Sequence, residues 1–116
     1  MESNAEDFLP LSPQVFHILL ALAANDLHGY AIIQEVASQS DGELVLGAGT
    51  LYTALKRLLA NGLVEELEER PDPALDDQRR RYYRLTPLGK VVAKAESKRL
   101  AGLLKVARSR RIVREV

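Results

Sequence analysis

A mainly α-helical fold with a small β-hairpin and a long terminal helix is predicted by three features of this 116-residue chain. The stretch Gly49-Thr50-Leu51-Tyr52-Thr53-Ala54-Leu55-Lys56-Arg57-Leu58-Leu59 puts Leu51, Leu55, Leu58 and Leu59 on one helical edge and Thr50, Thr53, Lys56 and Arg57 on the other. Asn61-Gly62 stops that helix. Two strand-like runs follow, Leu63-Val64-Glu65-Glu66-Leu67 and Arg80-Arg81-Tyr82-Tyr83-Arg84-Leu85, with a polar loop between them. From Leu88 the chain reads as helix almost to its end. Helix, strand, loop, strand and closing helix together predict a winged helix-turn-helix followed by a C-terminal dimerisation helix.

In chain order, residues 1–8 read as a frayed acidic arm, residues 9–86 as the winged domain and residues 87–116 as the dimerisation helix. Ser12 caps the first helix and Pro13 fits its first turn. Across residues 15–24 the only polar side chain is His17, so this helix is apolar nearly all round and needs cover on two sides. A second helix runs from about Tyr30 to Ser40, with Ile32, Ile33, Val36 and Ala37 inward. Leu44-Val45-Leu46 forms a small strand or a packed turn, and Gly47-Ala48-Gly49 opens the third helix. The loop at residues 70–78, with two prolines and three aspartates, makes an exposed wing tip that repels DNA. Thr86-Pro87 repeats the cap-and-proline start. The last helix, about 24 residues and therefore about 36 Å long, outruns so small a domain. Its apolar edge, with Val15, Phe16 and Leu19 of the first helix, predicts a seam with a second copy through Leu88, Val92, Ala95, Leu100, Leu103, Leu104 and Ala107. A basic membrane-surface helix is the less favoured reading of this segment, because Glu96 interrupts it and its apolar face is modest.

Composition narrows the function. No stretch reaches the roughly 18 apolar residues of a membrane helix, and the acidic start is unlike a secretion signal, so a cytoplasmic protein is expected. Zero cysteines exclude disulfides and thiol catalysis, and two histidines eleven positions apart make a weak metal site, so no metal or cofactor is expected. The net charge is zero, yet residues 1–78 hold three basic side chains against fourteen acidic ones and residues 79–116 hold thirteen against two. That polarity either steers a polyanion or pairs the two halves, within a subunit or across a dimer.

Gly49, Thr50, Thr53 and Lys56 are placed to approach base edges or phosphates, and Arg57 to bond guanine or phosphate in bidentate fashion. The ring of Tyr52 packs under the wing, or its hydroxyl reaches a phosphate. Arg79, Arg80 and Arg81, with Tyr82, lie at the base of the wing. There the arginines contact phosphate or pair with Glu65, Glu66, Glu68 and Glu69 on the neighbouring strand. His28 has no catalytic constellation around it and reads as a cap or phosphate contact, and His17 as a packed helix residue. Tyr30 either brings its hydroxyl to a phosphate or plugs the core. An enzyme is not expected.

Four segments resemble the PadR family of bacterial transcriptional regulators. Leu27-His28-Gly29-Tyr30-Ala31-Ile32 is similar to the family's HGY box, and Gly49-Thr50-Leu51-Tyr52 with Leu55 and Leu58 to its recognition-helix signature. Gly62-Leu63-Val64 is similar to its entry into the wing and Arg81-Tyr82-Tyr83-Arg84-Leu85-Thr86 to its second wing strand, and the set covers roughly residues 12–90 in the family's order. The resemblance implies a dimeric repressor of the short-tailed branch, bound to an operator and released by a small aromatic or hydrophobic effector. The tryptophans with which some members hold flat ligands are absent. The rival to this reading is a winged-helix module that docks a protein partner, favoured by the zero net charge.

Overall fold

Hydroxyl caps open two of the four helices. Ser12 Oγ accepts a hydrogen bond from the Val15 amide at 3.2 Å, and Thr86 Oγ1 accepts one from the Gly89 amide at 3.0 Å. The computed structural model describes residues 4–67, 70–71 and 79–114, with residues 70, 71, 79 and 80 described by backbone alone. The helices are α1 (Pro13–Ala24), α2 (Gly29–Gln39), α3 (Ala48–Ala60) and α4 (Pro87–Ser109). The strands are β1 (Leu27–His28), β2 (Val64–Glu66), β3 (Arg70–Pro71), β4 (Arg79–Arg80) and β5 (Tyr82–Leu85). Of the loop expected at residues 70–78, residues 70–71 form β3, and residues 72–78, with Glu68 and Glu69, lie outside the described residues.

The winged helix and its long terminal helix are both present. β5 is the centre of an antiparallel sheet ordered β1-β5-β2, with Leu27 opposite Tyr83 and Val64 opposite Leu85. β3 and β4 pair separately and extend the hairpin. The strand expected to run unbroken from Arg80 is interrupted at Arg81. β1 lies between α1 and α2, where Asn25-Asp26-Leu27-His28-Gly29 reads in the sequence only as a break between two helical patterns. Leu44-Val45-Leu46 resolves as a packed turn, with Leu46 buried.

The core gathers one edge from each helix: Ile18, Leu19 and Leu22 of α1, Ile32 and Val36 of α2, Leu51, Leu55 and Leu58 of α3, and Val92 of α4. Leu63, Val64, Tyr83 and Leu85 close it from the sheet. Two seam assignments are corrected here. Leu19 and Val92 are both fully enclosed in the subunit's own core, so neither faces a partner. The first half of α4 is therefore part of the winged domain's packing, and beyond Glu96 no described residue of the helix is buried.

Residues 4–8, expected as a frayed arm, instead include a 3-10 turn at Ala5–Phe8 whose Ala5 and Phe8 pack against the core. The anchor lies 85 residues away. Glu96, 1% exposed, accepts a hydrogen bond from the Leu11 amide at 2.7 Å and a second from Arg99. The Arg99 bond is the main cause holding the Glu96 carboxyl below its ordinary 4.5, with the Leu11 amide adding to it against the opposing effect of burial. Since the folded form binds this proton less tightly than the unfolded chain, the contribution of Glu96 is complete above the ordinary value. It is lost as the pH falls through the lowered one. Glu96→Ala, which strands the Leu11 amide and Arg99, is expected to cost about 2–3 kcal/mol at pH 7. Urea melts at pH 7 and pH 3 check this, with the gap between wild type and variant shrinking at the lower pH.

α4 is fixed to the end of α3 by one junction. Gly62, in the left-handed region at φ 74°, ends α3, and the Leu63 amide returns to the Leu58 carbonyl at 3.0 Å. Thr86 Oγ1 then donates to the Gly62 carbonyl at 2.7 Å, and the Thr86 amide to the Leu63 carbonyl at 3.1 Å. Gly89 sits directly on that Leu63 carbonyl.

Candidate nucleic-acid interface

With Leu51, Leu55 and Leu58 turned into the core, helical geometry sends Gly49, Thr50, Tyr52, Thr53, Lys56 and Arg57 outward, and all six are exposed. No ion pair engages Lys56 or Arg57 among the described residues. The edge thus offers three hydroxyls and two cations along about two turns of helix. Donors of that kind serve both base edges and phosphates.

The start of α2 lies against the same helix. The Tyr52 hydroxyl is so close to Gly29 that a Cβ at that position would overlap it, which accounts for the glycine. His28 is the N-cap of α2: its Nδ1 accepts from the Ala31 amide at 3.2 Å, placing the proton of the neutral ring on Nε2. Its ring stands edge-on to Tyr82, with centroids 5.4 Å apart. Tyr30 is 57% exposed, so it does not plug the core. His17 is half-buried and joined to α2, because Gln39 Nε2 lies 2.9 Å from its Nδ1 and donates to its carbonyl at 2.7 Å.

At the wing the arginines divide. Arg81 pairs with Glu66 at 2.6 Å, and Arg84 reaches Asp26 at 3.1 Å and Glu65 at 3.8 Å. Asp26 and Glu65 together raise the Arg84 pKa further above its ordinary value, the bond to Asp26 contributing most. Exposed pairs of this kind are screened by solvent, so they orient the strand more than they stabilise it. The side chains of Arg79 and Arg80 lie outside the described residues.

One feature went unread in the sequence. Ser12, Gln14 and Val15 at the start of α1 join Gly49, Thr50, Thr53, Ala54 and Arg57 around an open hollow of about 490 Å³. Val15, half-buried, thus borders the exposed edge of α3. A polar side chain in a first turn carries no periodic signal, so Gln14 was visible only as an ordinary surface residue. Phe16, Leu88, Ala95 and Ala107 are half-buried, while Leu100, Leu103 and Leu104 are 39%, 54% and 40% exposed.

No group of three metal-ligating side chains stands together, and no helix is long and apolar enough to cross a membrane, among the described residues.

Comparison with known proteins agrees with this architecture. The chain is 36% identical over 87 residues to the transcriptional regulator Rv3488 of Mycobacterium tuberculosis, covering 75% of each. It is 41% identical over 86 residues to an uncharacterized 37.1 kDa protein of transposon TN4556 from Streptomyces fradiae, where the match takes in 74% of this chain but only 22% of that longer protein. Among solved structures, a PadR family transcription regulator from Clostridium difficile superposes with a TM-score of 0.70 at 26% identity, covering 84% of this chain and 97% of its own. Bacillus subtilis PadR, solved in complex with operator DNA, shares the fold with a TM-score of 0.59 at 21% identity, over 70% of this chain and 45% of its own. The model of the transcriptional regulator PadR-like family matches residues 18–95, and with that span including α2, α3, the wing and the start of α4, this chain belongs to the PadR-like family of transcriptional regulators.

Proposed function

We propose that the protein is a sequence-specific DNA-binding repressor that acts as a homodimer on a pseudo-palindromic operator and releases it on binding a small effector. The observation that carries this reading is the exposed hydroxylated and cationic edge of α3, formed by Thr50, Thr53, Lys56 and Arg57. Gly49 lets the helix start approach the duplex, while His28, Tyr30 and Tyr52 meet phosphate beside it, and Arg79, Arg80, Arg81 and Tyr82 flank the backbone from the wing. The operator complex of Bacillus subtilis PadR supports this assignment by fold alone.

Two copies join through Leu100, Leu103, Leu104 and Ala107, the apolar edge that α4 carries past its own domain. The joined pair sets the two α3 helices about 34 Å apart, one turn of DNA. An effector acts by favouring one spacing of these helices over another, since a ligand shifts only an equilibrium for which its affinities differ.

Capture of genomic fragments at moderate salt, followed by sequencing, tests the reading. Enrichment of one inverted repeat is expected, and an unselective smear overturns it. Leu103→Lys with Leu104→Lys is expected to turn dimers into monomers in sedimentation equilibrium while leaving the helical content of the subunit intact. Gly29→Ala pushes Tyr52 aside and is expected to weaken operator binding about tenfold, at a cost in stability of under about 1 kcal/mol because a flexible exposed side chain gives way.

A further inference from the structure

We propose that the tip of α4 docks on an anionic lipid surface. The tip is a built turn. The Arg110 amide donates to the Val106 carbonyl, the Arg111 amide to that of Arg108 and the Ile112 amide to that of Ala107, each at 3.0 Å, so the chain folds back over the helix end. Arg111 sits in the left-handed region at φ 60°, where glycine is the usual residue and a side chain carries a cost. The chain keeps an arginine there.

This turn gathers Arg108, Arg111 and Arg114, with Ser109, Ile112 and Val113, around an open hollow of about 670 Å³. A volume of that order accommodates a phosphate headgroup. Residues 97–114 hold no acidic side chain, and residues 105–116 carry a net charge of +4 with Glu115 counted. None of the three arginines has an ion pair among the described residues. Guanidiniums crowded in this way repel one another, and a phosphate relieves the repulsion through charge-assisted hydrogen bonds. Beside them Ile112 is 77% exposed and Val113 40%. A DNA duplex offers phosphates but no apolar layer for these two side chains, whereas a lipid surface sets phosphates directly above acyl carbon. The combination favours lipid.

Glu96 and the modest apolar face argue against the whole of α4 lying on a membrane, but neither bears on its last turn. Lys105 and Arg108, three positions apart, share a face of α4 other than that of Leu100, Leu104 and Ala107, so docking leaves the proposed seam free. The rod also carries the tip about 20 Å beyond its own domain. That is about two Debye lengths at physiological salt, enough to hold the acidic residues 1–78 out of the repulsion of a like-charged surface.

This inference goes beyond the operator reading and does not depend on it. Full-length protein is co-sedimented with vesicles of phosphatidylglycerol and phosphatidylcholine in equal parts, and with vesicles of phosphatidylcholine alone. Saturable binding to the mixed vesicles and none to phosphatidylcholine is expected. Arg111→Gln with Arg114→Gln is expected to weaken that binding about thirtyfold, and Ile112→Ser with Val113→Ser about tenfold. All four side chains are exposed, so thermal melts of both variants should match the parent. Failure to bind the mixed vesicles, equal binding to both kinds, or parental binding by the Ile112→Ser, Val113→Ser variant overturns the proposal. So does a random-sequence duplex held through Arg111 and Arg114 while the vesicles stay free, which would give the tip to DNA. Operator selection is read separately, so a protein that docks on vesicles and selects no operator refutes only the regulatory reading.

Discussion

Gly89→Ala is expected to destabilise the protein by about 3 kcal/mol, the upper end of ordinary overpacking, and to lower its Tm by roughly 10 °C. The added Cβ would collide with the Leu63 carbonyl and lie 2.7 Å from Leu85 Cδ1. A carbonyl fixed by the Thr86 amide has no rotamer through which to yield, so α4 must lift from the sheet and uncover Val92 and Leu85. Gly102 supplies the contrast within the same helix. A Cβ there meets nothing within 4 Å, so Gly102→Ala is expected to be neutral or stabilising by up to about 1 kcal/mol through helix propensity. Paired thermal melts of the two variants decide the matter, and a Gly89→Ala protein that melts with the wild type would refute the docking of α4 described above.

Replacing Lys56 and Arg57 together with alanine is expected to weaken operator binding about a hundredfold at 0.1 M salt. Each cation that neutralises a phosphate adds about 0.9 to the slope of log K against log salt. With two cations in each of two subunits, the slope is expected to fall by about 3 to 4. Both side chains are exposed, so the melt of the double variant should match that of the parent. An unchanged slope together with unchanged affinity would instead favour a module that docks protein through its acidic half.

Local chemistry announced most of the architecture. Ser12-Pro13 and Thr86-Pro87 marked two helix starts that the structure places at Pro13 and Pro87, and Asn61-Gly62 marked the end of α3. Its leucine edge was readable because one face alone is apolar. α1 offered no such contrast: apolar nearly all round, it could not show that Leu19 faces inward and Leu20 outward. Val92 was misplaced for a related reason, since an apolar stripe fits equally against its own domain or a second copy. β1 has only two residues and exists through its pairing with β5, a contact that no local periodicity reports. Glu96 was legible only as an acidic interruption of the last helix, because its partner amide, Leu11, is distant in sequence. The exposed edge of α3 was visible from spacing, whereas the hollow it shares with Gln14 depends on how α1 crosses it.

The hydrogen bonds from Thr86 to Gly62 and Leu63 make the base of the terminal rod and the tail of the groove-facing helix one mechanical part. Beyond Glu96 that rod extends about 20 Å without support from its own domain, so a modest tilt at its free tip is geared directly onto α3 through a pivot a few residues wide. Whatever grips the tips can therefore retune the reach between two such helices while the core around the pivot stays intact.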